Sequence, residues 1–340
     1  MKTDLKSIAK LANVSVSAVS LALNGKPGVG EETRKKIIQI EKRLRQKRNE
    51  EYLANSKEEG TFLFLKIVKH GNILNRDHDI FIADYIDGIE NEASRKGFSL
   101  QISTFSKELT KKNIKSIDSL PVDGLILLGT ELNLADVELL NTINKPKVFV
   151  DTFFEYVNAS FVDMSSSDEV YQVVKYLYDM GHTEIGYVRS KSRTQNFIRR
   201  DIGFKRALEY LNLEYKEENV FNAESTFNGA YNDMNAYLKS GVTIPPALFI
   251  VNDLIASGCI KAFKENAYSI PEQVSIVGFD NLPSSAIMEP GLTTINVRKM
   301  WIGKKATDLL IEKINAQEPT PPTKIVVSGE LIIRNSVRKI

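Results

Sequence analysis

Cysteine is nearly absent, Cys259 being the only one in 340 residues. That excludes an internal disulfide framework and any multi-cysteine metal site, and it fits a reducing compartment. Histidine is almost as scarce: only His70, His78 and His182 occur, so neither a metal centre nor a cofactor is expected. No apolar run approaches the roughly 20 residues that span a bilayer, and the opening "MKTDLKSIAK" lacks the apolar core of a signal peptide, which points to a cytoplasmic chain. Also missing are GxSxG, a Walker A sequence and a dinucleotide GxGxxG. "GKPGVG" has neither the spacing nor the preceding strand of that last motif. Acids such as Asp151 and Asp280 could trade protons, but no nucleophile accompanies them, so catalysis is not expected. A transport-type binding protein would need export and no nucleic-acid-binding head.

What is present is an ordinary globular composition, 42% hydrophobic and 26% charged, in a chain long enough for two or three cores. The net charge of +2 conceals an asymmetry. Residues 1–50 carry 12 Lys or Arg against 5 Asp or Glu, and the remaining 290 carry 33 against 38. A basic segment attached to a mildly acidic body is the signature of a polyanion-binding module.

That segment is also patterned. "LKSIAKLANVSVSAVSLALNG" predicts one short helix from about Leu5 to Leu11, with Ile8, Ala9 and Ala12 on one face. A turn follows at Asn13 and Val14, then a second helix N-capped by Ser15 and running through Leu23 to Asn24-Gly25. "EETRKKIIQIEKRLRQKR" is a third helix, acidic at its start and basic at its end as the helix dipole prefers. Together they predict a helix-turn-helix module. Residues 47–60 are polar and read as a linker.

From Thr61 short apolar runs alternate with amphipathic helices: "TFLFLKIV", "FSLQIST", "VDGLILLG", "KVFVDT", "EIGYVRS", "ALFIVND" and "VSIVGFD" are the strands, and "IVVSGELIIR" is one last strand after the Pro-rich "AQEPTPPTK". The alternation implies parallel, doubly wound sheets, whose ligands bind beyond the carboxyl ends of the strands. Several strands end in polar residues: Asp151, Asn252 with Asp253, and Asp280 with Asn281. Each could equally be a turn or cap residue.

Over essentially its whole length the sequence resembles the lactose/galactose repressor family of bacterial transcription regulators. The carrying motifs are "SIAKLANVSVSAVSLALNGKPGVGEETRKKI", "IADYIDGIENEASRKGF", "YLYDMGHTEIGYV", "RRDIGFKRAL", "ALFIVNDLIASGCIKAF" and "VSIVGFDNLPSSAIMEPGLTTI". The resemblance implies an α/β protein with a three-helix helix-turn-helix head (1–46), a hinge (47–60) and a two-lobed body like the type I periplasmic binding proteins (61–340). The first lobe is then about 61–161 plus 292–322, and the second about 162–291 plus 323–340. It further implies a homodimer that binds double-stranded operator DNA and is controlled by a small-molecule effector held between the lobes.

The positions matching the family's base-reading residues are Val16, Ser17 and Leu21. Ser15, Ser20, Asn24 and Thr33 match its phosphate-binding positions. Many relatives carry Arg where Leu21 stands, and an Arg there can bind guanine through two hydrogen bonds, whereas Leu offers only apolar contact, for example with a thymine methyl. The hinge also departs: Arg48 replaces the usual Pro, Glu50, Glu51, Glu58 and Glu59 surround the segment, and Leu53 is the expected minor-groove wedge. In the cleft, the sugar-gripping positions match Asp151, Arg200, Asn252 and Asp280, with Phe81 and Phe153 as apolar walls. Arg199 is an adjacent candidate, but successive helix positions face apart. Trp301, the only Trp, is expected in core or dimer packing. This set favours a sugar or sugar derivative, with a purine as the alternative.

Overall fold

The structure is a computed structural model that describes residues 5–23, 28–41, 43 and 59–340. The expected contacts Asn24 and Leu53, and most of the hinge, lie outside these residues. The chain divides into two compact units, 1–58 and 59–340.

In the first unit, α1 (Leu5–Ala12) and α2 (Val16–Leu23) are joined by a turn in which Asn13 takes φ 56°, a left-handed conformation that Asn tolerates better than most residues. Val14 N–H closes the turn on the Ala9 carbonyl at 3.0 Å. Ser15 is the N-cap of α2, its Oγ accepting the Ala18 N–H at 3.1 Å. A third helix, α3, covers 31–41. The core is small: Ile8, Ala9, Ala12, Val19, Ala22 and Ile37 are buried. Each large member contributes about 1.5–3 kcal/mol. Arg34 of α3 donates to the Ala22 carbonyl at 3.0 Å, placing a cation at the carboxyl end of α2.

The second unit carries two parallel sheets. Its strands are β1 (Gly60–Ile67), β2 (Phe98–Phe105), β3 (Gly124–Leu128), β4 (Lys147–Val150), β5 (Phe161–Met164), β6 (Ile185–Ser190), β7 (Val220–Ala223), β8 (Ala247–Ile250), β9 (Ser275–Val277), β10 (Thr294–Asn296), β11 (Lys324–Val327) and β12 (Glu330–Ile332). The first lobe has the order β11-β5-β4-β3-β1-β2 and the second β7-β6-β8-β9, while β10 and β12 pair antiparallel as a small separate ribbon. The helices are α4 (Asp79–Arg95), α5 (Lys111–Asp118), α6 (Leu134–Asn141), α7 (Ser166–Asp179), α8 (Gln195–Tyr210), α9 (Phe227–Lys239), α10 (Asp253–Glu265), α11 (Pro283–Ile287) and α12 (Lys299–Asn315). The central strands of both sheets are wholly buried and continuously apolar, as strands covered by helices on both faces must be.

Two features differ from the sequence expectation. "IVVSGELIIR" is not one strand: β11 joins the first lobe beside β5, and β12 leaves it to pair with β10. The break falls at Gly329, where a Cβ would stand 2.7 Å from the Asn296 carbonyl and 2.8 Å from Glu169 Oε1. The same pairing puts β5 and β11 in the first-lobe sheet, so sheet membership runs past the expected boundaries at 162 and 323. The strands β5, β7 and β10 give weak sequence signals because they are only three or four residues long and contain Asp163, Asn222 and Asn296. In the first lobe α12 lies tight on α4. Gly88 faces the Met300 backbone and Gly303 faces the Tyr85 carbonyl so closely that any side chain would collide.

Among the described residues no helix is long and apolar enough to cross a membrane, and no group of three or more His, Cys, Asp or Glu side chains could hold a metal ion.

Candidate functional site

Two surfaces carry the residues singled out from sequence. On the first unit, Ser15, Val16 and Ser17 begin α2 and are exposed, Val16 at 41%. Ser20, Leu21 and Thr33 are half-buried. Leu21 therefore differs from a fully exposed residue. Its Cδ1 lies beside Gly28, 3.4 Å from where that residue's Cβ would be. The exposed first turn of α2 combines small hydroxyls with an apolar tip, a shape that lets a helix approach a groove closely.

The second surface is a small cavity between the two lobes of the second unit, of about 30 Å3. The loop before α4, the first turn of α4 and the strand ends of the first lobe contribute Ile73, Leu74 and His78, Phe81 and Ile82, and Thr130 and Asp151 respectively. Opposite them stand Thr194, Asn196, Phe197 and Arg200 of the α8 region, with Asn252 and Asp280 from strand ends. Asp151, Arg200, Asn252, Asp280 and Phe81 thus converge on one cavity. Phe153 does not: its ring packs on Phe161 at 5.8 Å, with the Arg199 guanidinium 4.3 Å above it. One residue past Asp151 the backbone has turned, and the Phe153 side chain completes the first-lobe core instead. Trp301 lies on α12, 48% exposed and beside Lys304 and Lys305, so it is neither a core residue nor a cavity wall.

Each polar residue is held by its own network. Asp151 stands at the end of β4 with φ 57°. It accepts from Tyr85 Oη at 3.2 Å, from Thr130 Oγ1, and from Asn196 Nδ2 at 3.0 Å, the last a bond between lobes. Burial pushes its carboxyl up to about 6, against the opposing pull of the Thr130 hydroxyl. Arg200 donates to the Val251 carbonyl at 2.7 Å and to Asp280 Oδ1 at 3.2 Å, and its guanidinium lies 3.6 Å from the centre of the Phe279 ring. Asp280, at φ 108°, is raised by burial and held down by Arg200 and Lys299. Asn252 caps α10, its Oδ1 accepting the Ile255 N–H at 2.9 Å, so the capping role and the cavity position coexist in one side chain.

Other cavity residues escaped the sequence reading. Asn196 stands four residues before Arg200 on α8, and helical spacing alone would have put both on one face. His78 and the Ile73-Leu74 wall come from an irregular loop with no periodic signal. Glu131 organises that loop. Its two oxygens accept the backbone N–H groups of Lys69, His70, Gly71, Ile73 and Leu74 at 2.9–3.1 Å. Although burial opposes ionisation, the N–H groups of Leu74, Ile73, His70 and Gly71 hold the carboxyl down at about 2.

Comparisons with known proteins agree with this geometry. Residues 4–49 match the model described as bacterial regulatory proteins, lacI family, and residues 174–337 match the periplasmic binding protein-like domain. The HTH-type transcriptional repressor PurR of Haemophilus influenzae is 28% identical over 340 residues, 99% of each chain. Among solved structures, a transcriptional regulator CelR-cellobiose complex has a TM-score of 0.72 at 23% identity, covering 98% of this chain and all of that one. The lac repressor dimer bound to operator and the anti-inducer ONPF also has a TM-score of 0.72, at 19% identity over 99% of this chain and all of that one.

Proposed function

Because this chain belongs to the lacI family of bacterial regulatory proteins, DNA-binding repressors with a periplasmic-binding-protein-like effector domain and not enzymes, we propose that its effector is an uncharged polyol, a sugar or close derivative, and that the repressor acts as a homodimer. The observation that carries the effector reading is the charge balance of the cavity. Two carboxyls, Asp151 and Asp280, line it against one guanidinium, and Arg200 is already engaged by Asp280. Lys299 spends its ammonium group on the Asp280 carbonyl and on Asp84, 3.3 Å away. The charge of Arg200, whose Nε alone lacks a partner, is thus matched by Asp280 rather than free for a phosphate, whereas carboxylates and amides suit pairs of hydroxyls. At about 30 Å3 the cavity is smaller than a sugar, so in this reading the lobes part to admit the ligand.

In this reading Val16, Ser17 and Leu21 meet base edges, while Ser15, Ser20, Asn24 and Thr33 contact phosphates. Leu53 is the wedge of the hinge. The second copy sits on the groove of the second lobe where Phe227, Ile260, Ile287 and Met288 are flanked by Lys261, Lys264, Glu265 and Glu289, and where Ile287 is 87% exposed. The effector acts by changing the angle between lobes that Asn196 and Asp151 already bridge, and so the spacing of the two heads. The test is an operator titration at fixed salt with and without neutral sugars, sugar phosphates and purine bases, on a preparation whose sedimentation is measured. A dimer whose operator affinity shifts with a neutral sugar, and in which Arg200→Ala abolishes the shift, is the expected result. Equal affinity for operator and random DNA, or a response to purines or phosphates alone, refutes the reading.

A further inference from the structure

We propose that His78 reads the effector: its imidazole hydrogen-bonds a ligand hydroxyl from the first lobe while Asn196 Oδ1 accepts from the same ligand across the cleft. The inference rests on the polyol reading above for its ligand class, but its argument begins with two unfilled side chains. His78 is only 6% exposed, lines the cavity, and has no partner at either ring nitrogen among the described residues. Asn196, 5% exposed, uses its Nδ2 on Asp151 and leaves Oδ1 without a partner. Buried polar atoms are almost always hydrogen-bonded, so these mark the place of a missing group.

The ring is held where it is by its backbone. His78 ends a 3-10 turn, Arg76–His78, in which Asn75 Oδ1 accepts the Asp77 N–H at 2.9 Å, and it leads directly into α4. Phe81, three residues on, supplies the apolar wall beside it. Burial pulls the His78 imidazole down to about 4, despite the nearby carboxylates of Asp77, Glu131 and Asp79. At neutral pH it is therefore one N–H donor and one acceptor, which matches a hydroxyl that both donates and accepts and gives no attraction to an anion. The two unfilled groups stand on different lobes, so one ligand that satisfies both ties the lobes together.

The experiment uses the full chain as wild type, His78→Leu and His78→Gln. Thermal denaturation of each is measured without ligand, and D-ribose, cellobiose and adenine are then titrated calorimetrically. Leu removes both ring nitrogens, whereas Gln restores a donor and an acceptor. The ligand-free His78→Leu chain is expected to melt no lower than wild type, because no internal bond is lost. Affinity for the probe that binds is expected to fall about tenfold in His78→Leu and to recover most of that in His78→Gln. A drop in melting temperature of about 3 °C or more in His78→Leu means a structural role and overturns the proposal, as does unchanged affinity. If adenine alone binds, the polyol reading fails while the Leu and Gln variants still decide the role of His78. If no probe binds, that reading and the ligand contact of His78 both fail for these compounds.

Discussion

Leu21 is half-buried beside Gly28, yet it follows the exposed first turn of α2 by a single helical turn. A branched apolar side chain there can select only by shape and by contact with a methyl group. An Arg in its place has a stem long enough to leave the protein surface and a fork that matches guanine O6 and N7. Leu21→Arg is therefore expected to move the preferred operator sequence toward guanine at one position per half-site, by about 1–3 kcal/mol of discrimination. Selection from randomised operators would reveal this. A variant that only loses affinity, with the same preferred sequence, puts Leu21 outside the groove. The polar residues at strand ends were visible in the sequence because the fold class assigns ligands to that edge, and three of them, Asp151, Asn252 and Asp280, meet in the cavity. Phe153 was misplaced because alternation along a strand is lost once the chain turns at Asp151. His78 was invisible because nothing in the spacing of a polar loop says which side chain turns inward.

At the scale of elements, the least regular segment is the most tightly specified. The loop from Lys69 to Leu74 has no ladder of its own, and the Glu131 carboxylate takes its place by accepting five backbone N–H groups. Glu131→Gln keeps the shape, removes one acceptor and turns an amide donor toward N–H groups. A loss of about 3 kcal/mol is expected, since bonds to an ionised acceptor are strong and their loss leaves buried donors unfilled. Because the loop supplies Ile73 and Leu74 to the cavity, effector affinity falls together with stability. Denaturation followed by Trp301 fluorescence, with a parallel effector titration, measures both. Unchanged affinity would show that the loop wall is dispensable. The long regular elements were legible because a central strand is uniformly apolar and α4 is periodic. The splitting of "IVVSGELIIR" was not, because Gly329 is crowded by Asn296 and Glu169, residues distant in sequence.

The whole second unit carries an unusual load of buried acid, spread over both lobes and the crossing between them. Burial raises Asp163 of β5 to about 8, Glu169 of α7 to about 8, Asp253 of α10 to about 7 and Asp151 to about 6. Some of these groups brace the architecture. Asp253 accepts from Thr294 Oγ1 at 2.7 Å and from Leu282 N at 2.9 Å, and Glu169 accepts the Gly329 N–H where the chain passes between sheets. In the unfolded chain these carboxyls titrate near 4. Between about pH 4.5 and 8 the folded state therefore holds more protons than the unfolded one, so stability is greatest at the acid end of that window and declines as pH rises through the folded values. Glu131 has the opposite sign, and its contribution is lost only as the pH falls below about 4.5 toward 2. Urea midpoints followed by Trp301 fluorescence are thus expected to fall from pH 5 to pH 9. Each carboxyl contributes at most about 1.4 kcal/mol per pH unit to the slope. Asp163→Asn removes one such group, so the decline becomes shallower and the variant exceeds wild type at pH 9 but not at pH 5. A profile that rises across this range, or parallel profiles for the two chains, would mean that Asp163 is ionised in the fold and that water or a rearranged guanidinium reaches it.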